Sequence, residues 1–165
     1  MKPQTRNSKP ETPNSKLDKA MDMCSRREYC RKEVFEKAVA WGCTPAEASQ
    51  LVDVLVEQNF IDERRYTEAF VKDKLRLNKW GRVKIGYMLR RQNIDKSLIT
   101  EVFSEIDETE YRQIFVAALL KKYTSIRRKD NILEVKAILF RFVTSRGLEP
   151  DIADEEISKF IIHNS

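Results

Sequence analysis

The sequence predicts an all-α protein, an elongated and curved array of three tandem three-helix repeats. Three observations lead to this fold class. Charged residues make up 35% of the 165 residues, with only 4 glycines and 5 prolines, which suits helices. Apolar residues recur at helical spacing along the chain. A helix start at Ile61-Asp62-Glu63 also returns at Ile106-Asp107-Glu108, so the chain repeats itself.

The repeated helix start has a defined local chemistry. Asp62 and Asp107 are good N-cap residues, because a carboxylate accepts a backbone N–H of the first turn. The isoleucine before each aspartate can pack on a tyrosine inside the helix, Tyr66 or Tyr111, as a hydrophobic staple. Each start therefore predicts a helix that opens a repeat.

The predicted units follow from these starts and from composition. The N-terminal segment has three prolines and almost no apolar side chains, so we expect it to be a disordered, mildly basic tail. The predicted boundaries are 1–15 for the tail, then 16–60, 61–106 and 107–165 for the three repeats. Units of this size bury one face against a neighbour and form a helical array.

In the first repeat, apolar spacing predicts three helices. The first has apolar residues at i, i+3, i+4 and i+7 from Leu17. The second follows Tyr29 and stops at Gly42. The third opens with Thr44-Pro45, a capping residue followed by proline at the first helical position.

The second repeat opens at Asp62, and Trp80-Gly81 breaks its first helix. Its second helix runs to about Asn93, and Asp95 caps the third. The inward residues predicted for these helices are Tyr66, Ala69, Phe70 and Leu77, then Ile85, Met88 and Leu89, then Leu98, Ile99, Val102, Phe103 and Ile106.

The third repeat opens at Asp107, and the basic segment from Lys121 to Asn131 is predicted to be a connection. The next helix stops at Gly147, and the last follows Pro150. The inward residues predicted here are Tyr111, Ile114, Phe115, Ala118 and Leu119, then Val135, Ile138, Leu139, Phe142 and Val143, then Ile152, Ala153, Ile157, Phe160 and Ile161.

The sequence indicates no enzyme, metal site or cofactor. Cys24, Cys30 and Cys43 match no zinc or CxxC spacing and are expected to be reduced, partly buried thiols. The single histidine, His163, lies at the C-terminus, so no serine or cysteine has an internal histidine to activate it. No apolar run is long enough for a membrane span, and no signal peptide is evident, so we expect a cytoplasmic protein.

Binding is better supported, because the net charge is +5 and basic residues cluster in the second repeat. On its middle helix, Lys84, Tyr87, Arg90 and Arg91 fan across the side opposite the apolar stripe. An aromatic among arginines can stack while the guanidinium groups pair with phosphate or carboxylate. The residues predicted to bind a partner or nucleic acid are Arg64, Lys72, Lys79, Arg82, Lys84, Tyr87, Arg90, Arg91, Lys121, Lys122, Arg127 and Arg128.

Simpler interpretations stay open beside this one. Surface lysines and arginines also keep helices soluble, and Trp80 can serve packing between helices as well as a partner contact. A free-standing nucleic-acid-binding protein with helix-turn-helix-like units is an alternative function, although the helix after Gly81 offers little polar variety for reading bases. A purely structural scaffold is a third interpretation.

Three motifs in order resemble the RecX family of recombination regulators over about residues 16–162. They are Ser25-Arg26-Arg27-Glu28-Tyr29-Cys30-Arg31-Lys32-Glu33-Val34, Phe60-Ile61-Asp62-Glu63-Arg64-Arg65-Tyr66-Thr67-Glu68-Ala69-Phe70, and Lys79-Trp80-Gly81-Arg82-Val83-Lys84-Ile85 with Leu89. Each motif alone is weak, and the three together are fairly specific.

The resemblance implies a non-enzymatic modulator made of tandem three-helix repeats. Such a protein is expected to bind a RecA-type recombinase, to lie in the groove of its filament on single-stranded DNA, and to suppress ATP hydrolysis and strand exchange in DNA repair. A monomer without a cofactor, with single-stranded DNA backbone as a further contact, is the corresponding expectation.

Overall fold

A computed structural model describes residues 13–126 and 131–164, and every regular element in those ranges is an α-helix. The helices are α1 (Pro13–Arg26), α2 (Arg31–Ala40), α3 (Pro45–Glu57), α4 (Glu63–Arg76), α5 (Arg82–Arg91), α6 (Lys96–Ser104), α7 (Glu108–Ile126), α8 (Ile132–Ser145) and α9 (Pro150–Asn164). They follow one another as three triplets, so the predicted all-α fold of three-helix repeats is confirmed. No helix in the described ranges is long and apolar enough to cross a membrane.

Aspartate side chains begin several of these helices as predicted. Asp62 Oδ1 accepts the Arg65 N–H at 3.0 Å, and Asp107 Oδ1 accepts the Glu110 N–H at 2.8 Å. Asp95 does the same for α6, accepting the Ser97 N–H at 2.8 Å. These three N-caps are therefore confirmed.

The middle helix of each triplet ends in the same way. Gly42, Asn93 and Gly147 have φ values of 97°, 59° and 93°, a left-handed conformation that glycine and asparagine tolerate. The residue after each of them donates its N–H to the carbonyl five residues earlier. These hydrogen bonds join Cys43 to Ala38 at 3.0 Å, Ile94 to Leu89 at 3.1 Å, and Leu148 to Val143 at 3.1 Å. The predicted helix ends are therefore confirmed, and each is closed by a backbone hydrogen bond.

The chain divides into two compact units, with the boundary between Tyr66 and Thr67 inside α4. The first unit has its core on α1, α2 and α3, and all three cysteines are free and buried there. Burial raises the pKa of the Cys30 thiol to about 11, so this group stays protonated and unreactive at neutral pH. Tyr66 is also buried and donates its hydroxyl to Glu33 Oε1 at 3.4 Å.

The second unit has its main core between α7, α8 and α9. Tyr111 and Phe115 are fully buried and meet edge to face with their ring centroids 5.2 Å apart. The other buried apolar residues of these three helices and of the turn before α9 are Leu119, Val135, Leu139, Val143, Leu148, Ile152, Ala153, Ile157, Phe160 and Ile161. Because α7 and α9 pack in one core, their N-terminal ends are held in place, and with them Glu108 at the start of α7 and Glu149 just before α9.

Two local predictions are wrong. Leu77 was expected to point inward, but it is 79% exposed. The buried residues at this end of α4 are Val71 and Leu75, and Leu77 lies about 200° around the helix from Leu75. The segment from Lys121 was expected to be a connection, but α7 continues to Ile126. Lysine is a good helix former, so a basic run does not by itself end a helix.

The tail prediction falls mostly outside the described residues. Helix α1 begins at Pro13, inside the predicted tail of residues 1–15, and residues 1–12 lie outside the part of the chain that the structure describes. The residue boundaries of the repeats stay predictions.

Candidate interaction surface

Helix α5 carries the candidate surface, and its buried side fixes its orientation. Ile85 and Leu89 are fully buried, and Gly86 between them lies against the Phe103 ring of α6. Residues at i, i+1 and i+4 form one side of a helix. On the other sides of α5, Val83, Tyr87, Arg90 and Arg91 are exposed, whereas Arg82, Lys84 and Met88 are partly buried.

The outward side of α5 combines apolar, aromatic and cationic groups. Val83 and Tyr87 are each 54% exposed, and Arg90 and Arg91 are exposed beside them. The Arg91 guanidinium carbon lies 5.9 Å from the Tyr87 ring centroid, and Arg90 Nε donates to the Gly86 carbonyl at 3.4 Å. We call these four residues, Val83, Tyr87, Arg90 and Arg91, the α5 face.

Arg82, at the start of α5, is held by Glu108 of α7 and by Glu149 in the turn before α9. Its guanidinium donates to Glu149 Oε1 at 3.0 Å and to Glu108 Oε2, and its side chain is only 17% exposed. The guanidinium carbon also lies 3.9 Å above the Tyr111 ring centroid. The positive charge of Arg82 is therefore compensated inside the second unit.

Tyr111 completes this network. Its hydroxyl donates to Glu149 Oε2 at 2.6 Å and accepts the backbone N–H of Arg82 at 3.0 Å. Burial is the main cause that raises the pKa of Tyr111, and the hydrogen bond to Glu149 is the second. The hydroxyl therefore keeps the proton that it donates. The first N–H of α5 is thereby capped by a side chain of α7.

Lys84 lies closer to the protein than helical spacing alone predicts. It is half-buried, and its Nζ lies 4.2 Å from the Trp80 ring centroid. Lys74 Nζ approaches the same ring at 5.0 Å. Trp80 is thus half-buried, and two lysines of its own unit lie over its ring. This arrangement favours a packing role for Trp80 over a partner contact.

The N-terminus of α5 is also fixed by a backbone crossing. The Gly81 N–H donates to the Arg146 carbonyl at 2.7 Å, and the Val83 N–H donates to the Gly147 carbonyl at 3.0 Å. A Cβ atom at Gly81 would lie 2.2 Å from the Gly147 oxygen. Only glycine allows these two chain segments to approach so closely.

The other predicted residues are distributed over several elements. Arg64 and Lys72 are exposed on α4, and Lys121 and Lys122 lie on α7, where Lys122 Nζ is 5.4 Å from the Phe142 ring centroid. Lys79 is exposed in the turn between α4 and α5, and it lines one groove together with Lys121. Arg127 and Arg128 lie outside the described residues.

Sequence reasoning missed the partners of Arg82 and one cation beside the groove. Glu108 and Glu149 are 26 and 67 residues away from Arg82, so no local pattern links them. Arg146 was not singled out because it stands alone at the end of α8. Among the described residues, no group of three or more His, Cys, Asp or Glu side chains is placed to hold a metal ion.

Comparison with known proteins gives consistent matches. A family model described as RecX, second three-helix domain, matches residues 62–102. The protein named Regulatory protein RecX from Acinetobacter baylyi is 30% identical over 156 residues, which is 94% of each chain. Its namesake from Clostridium botulinum strain Eklund 17B is 30% identical over 143 residues, covering 86% of this chain and 66% of the relative, so the chain spans less than two thirds of that longer protein.

Solved structures show the same fold. The crystal structure of RecX from Lactobacillus salivarius superposes with a TM-score of 0.81 at 17% identity, covering 91% of this chain and 97% of the other. A second, titled crystal structure of regulatory protein RecX, gives a TM-score of 0.74 at 16% identity, covering 86% and 71%. At these identities the likeness concerns the fold alone.

Proposed function

The chain belongs to the RecX family of regulatory proteins, and on this premise we propose that it binds a RecA-type recombinase filament on single-stranded DNA. In this proposal the bound protein inhibits ATP hydrolysis and strand exchange by the recombinase. It acts by binding, as a regulator without catalytic activity of its own. Its working place is the cytoplasm, where such filaments form.

The α5 face is the observation that supports this proposal. Arg90 and Arg91 lie on an exposed side with Tyr87, so guanidinium groups and an aromatic ring lie together on the surface. Arginine pairs with both carboxylates and phosphates through its fork of N–H donors. A single face can therefore contact acidic protein surface and DNA backbone.

Base reading by a free-standing DNA-binding protein is less favoured by the same helix. A recognition helix uses its first turns to reach base edges. Here Arg82 is held by Glu108 and Glu149, and Lys84 lies on Trp80. The first turn of α5 is therefore occupied with contacts inside the second unit.

Charge reversal on the α5 face should weaken the regulatory effect. For Arg90→Glu with Arg91→Glu, we expect half-maximal inhibition of the recombinase's DNA-dependent ATP hydrolysis to need about tenfold more protein or more, because two charge-assisted contacts become repulsive. The measurement is steady-state ATP hydrolysis by the cognate recombinase on single-stranded DNA, titrated with parent and variant. Circular dichroism should show unchanged helicity, since both residues are exposed.

The matched control is Lys136→Glu with Arg141→Glu, which changes the charge equally at two exposed positions of α8. This variant is expected to inhibit like the parent. Unchanged ATP hydrolysis with the parent protein at stoichiometric amounts, together with no sedimentation with the filament, would reject the proposal. Tight, sequence-dependent binding to duplex DNA without recombinase would instead support the free-standing DNA-binding protein.

A further inference from the structure

A groove of about 470 Å³ runs along one side of α7 and is closed by the end of α8. Its floor is apolar and consists of Ile114, Ala117 and Ala118 of α7 with Phe142 of α8. Spacings of three and four residues place the α7 members on one side of that helix. Because two of them are alanines, the helix leaves a depression there that larger side chains would fill.

Three cations surround this floor. Lys79, Lys121 and Arg146 line the groove, and none of them forms an ion pair with any residue of the described ranges. The acidic residue that lines it, Glu110, is already paired with Arg76 at 3.1 Å. The groove is therefore apolar at its base and positively charged around its edge.

Elsewhere on α7 an arginine has its charge compensated. Arg112 donates to Glu155 Oε2 at 2.9 Å and to Glu156 Oε1 at 2.8 Å. The same helix thus places one cation between two carboxylates, whereas Lys121 forms no ion pair within residues 13–126 and 131–164. On α7, the groove end thus carries a cation and the Arg112 end carries a compensated one.

The backbone at Lys79 is a second, independent observation. Its φ of 57° lies in the left-handed region, which side chains with a Cβ atom rarely adopt. The other two non-glycine residues with positive φ in the described ranges, Asn59 and Asn93, are asparagines, which tolerate it. The turn that ends α4, in which the Trp80 N–H donates to the Lys74 carbonyl at 3.0 Å, thus fixes the backbone of a lysine that lines the groove.

We propose that this groove binds an acidic peptide segment of a partner protein, with one apolar side chain on the floor and carboxylates on Lys79, Lys121 and Arg146. The guanidinium carbon of Arg146 lies 4.7 Å from the Phe142 ring centroid, and a stacked guanidinium keeps its in-plane N–H donors free for a carboxylate. The groove shares no residue with the α5 face. The proposal therefore stands whether or not the protein regulates a recombinase.

A peptide fits this groove better than a nucleic acid does. Single-stranded DNA binds sites where bases stack on exposed aromatic rings. The floor is aliphatic apart from Phe142, and Arg146 and Lys122 both lie over that ring. An apolar side chain of a peptide can use such a floor, whereas a phosphate backbone would leave it uncovered.

Neither the N-terminal segment of this chain nor a second copy of the protein has the negative charge that would complement the groove. The N-terminal segment carries Lys2, Arg6 and Lys9 against Glu11 alone, and the whole chain has a net charge of +5. Like charges repel at an interface. A separate acidic partner is therefore the occupant with matching chemistry.

The test uses a fluorescein-labelled nonapeptide of aspartate and glutamate with one central phenylalanine, titrated with the full chain and followed by fluorescence anisotropy. A second peptide carries serine in place of phenylalanine. We expect about tenfold weaker binding of the serine peptide, because the floor loses its apolar contact. Equal binding of the two peptides would overturn the role of the floor and with it the proposal.

Two variants test the groove itself. Lys121→Glu with Arg146→Glu should weaken binding of the phenylalanine peptide about tenfold or more, and Ala117→Trp should weaken it similarly by filling the exposed end of the floor. The control, Lys136→Glu with Arg141→Glu, should bind like the parent, and circular dichroism should show equal helicity. Peptide binding unaffected by both groove variants would contradict the proposal.

Two further measurements separate this inference from others. A labelled oligonucleotide of nine thymidines that binds more tightly than the peptide, and loses binding in the groove variants, would assign the groove to nucleic acid instead. The variant Arg90→Glu with Arg91→Glu should keep full peptide affinity. If the protein does not inhibit the recombinase, the peptide result is unaffected. If the peptide does not bind, the recombinase result is likewise unaffected.

Discussion

The substitution Gly81→Ala is expected to lower the free energy of unfolding of the second unit by about 3 kcal/mol. Gly81 has an ordinary φ of −86°, so backbone strain is not the cause. The cause is the close approach to the turn after α8, where an added Cβ would lie 2.2 Å from the Gly147 oxygen and 2.5 Å from the Leu148 nitrogen. These are backbone atoms, which cannot move aside as a flexible side chain can.

Gly86→Ala is the matched control in the same helix. A Cβ atom there would meet the Phe103 ring at 3.5 Å, an ordinary van der Waals contact. Alanine is the better helix former, so we expect this variant to be more stable by about 0.5–1 kcal/mol. The two glycine substitutions should therefore shift stability in opposite directions.

The measurement is urea denaturation followed by tryptophan fluorescence in a Trp41→Phe background. The chain has two tryptophans, and Trp80 then reports on the second unit alone. The close approach of Gly81 to Gly147 would be contradicted if Gly81→Ala were as stable as the parent. It would also be contradicted if Gly86→Ala lost as much free energy of unfolding as Gly81→Ala does.

The local parts of this fold could be predicted from the sequence. The N-caps at Asp62 and Asp107 and the helix ends at Gly42 and Gly147 depend on chemistry within about five residues, which a sequence displays directly. Leu77 shows the limit of the same reasoning. Its spacing from Tyr66 matched an inward position, but the core at that end of α4 is contacted by Val71 and Leu75, which lie on another side of the helix.

The candidate surface could be predicted only in part, because burial and pairing depend on distant residues. The exposure of Tyr87, Arg90 and Arg91 follows from the period of α5 alone. Arg82 is a basic residue of the same helix, like Arg90 and Arg91, but it forms ion pairs with Glu108 of α7 and with Glu149 in the turn before α9. A basic residue in a sequence therefore does not reveal whether its charge is available to a partner.

Tyr111→Ala is expected to destabilise the second unit by about 4 kcal/mol. The side chain is fully buried, packs edge to face on Phe115 and links three helix starts through Arg82 and Glu149. Truncation leaves a cavity of aromatic size and removes the acceptor of the Arg82 N–H. The cavity is the larger contribution, because a single hydrogen bond contributes about 1 kcal/mol to stability.

Tyr111→Phe separates the two contributions, since it keeps the ring and removes the hydroxyl. We expect a loss of about 1–2 kcal/mol, because the Arg82 N–H loses its acceptor while Glu149 keeps its contact with the Arg82 guanidinium. Tyr123→Phe is the matched control, because the Tyr123 hydroxyl donates a long hydrogen bond, 3.4 Å, to the Asn164 carbonyl. Its stability, read from the same urea denaturation, should stay within about 0.5 kcal/mol of the parent. If Tyr111→Phe is equally neutral, the hydroxyl does not hold the start of α5, and the ring alone accounts for the loss in Tyr111→Ala.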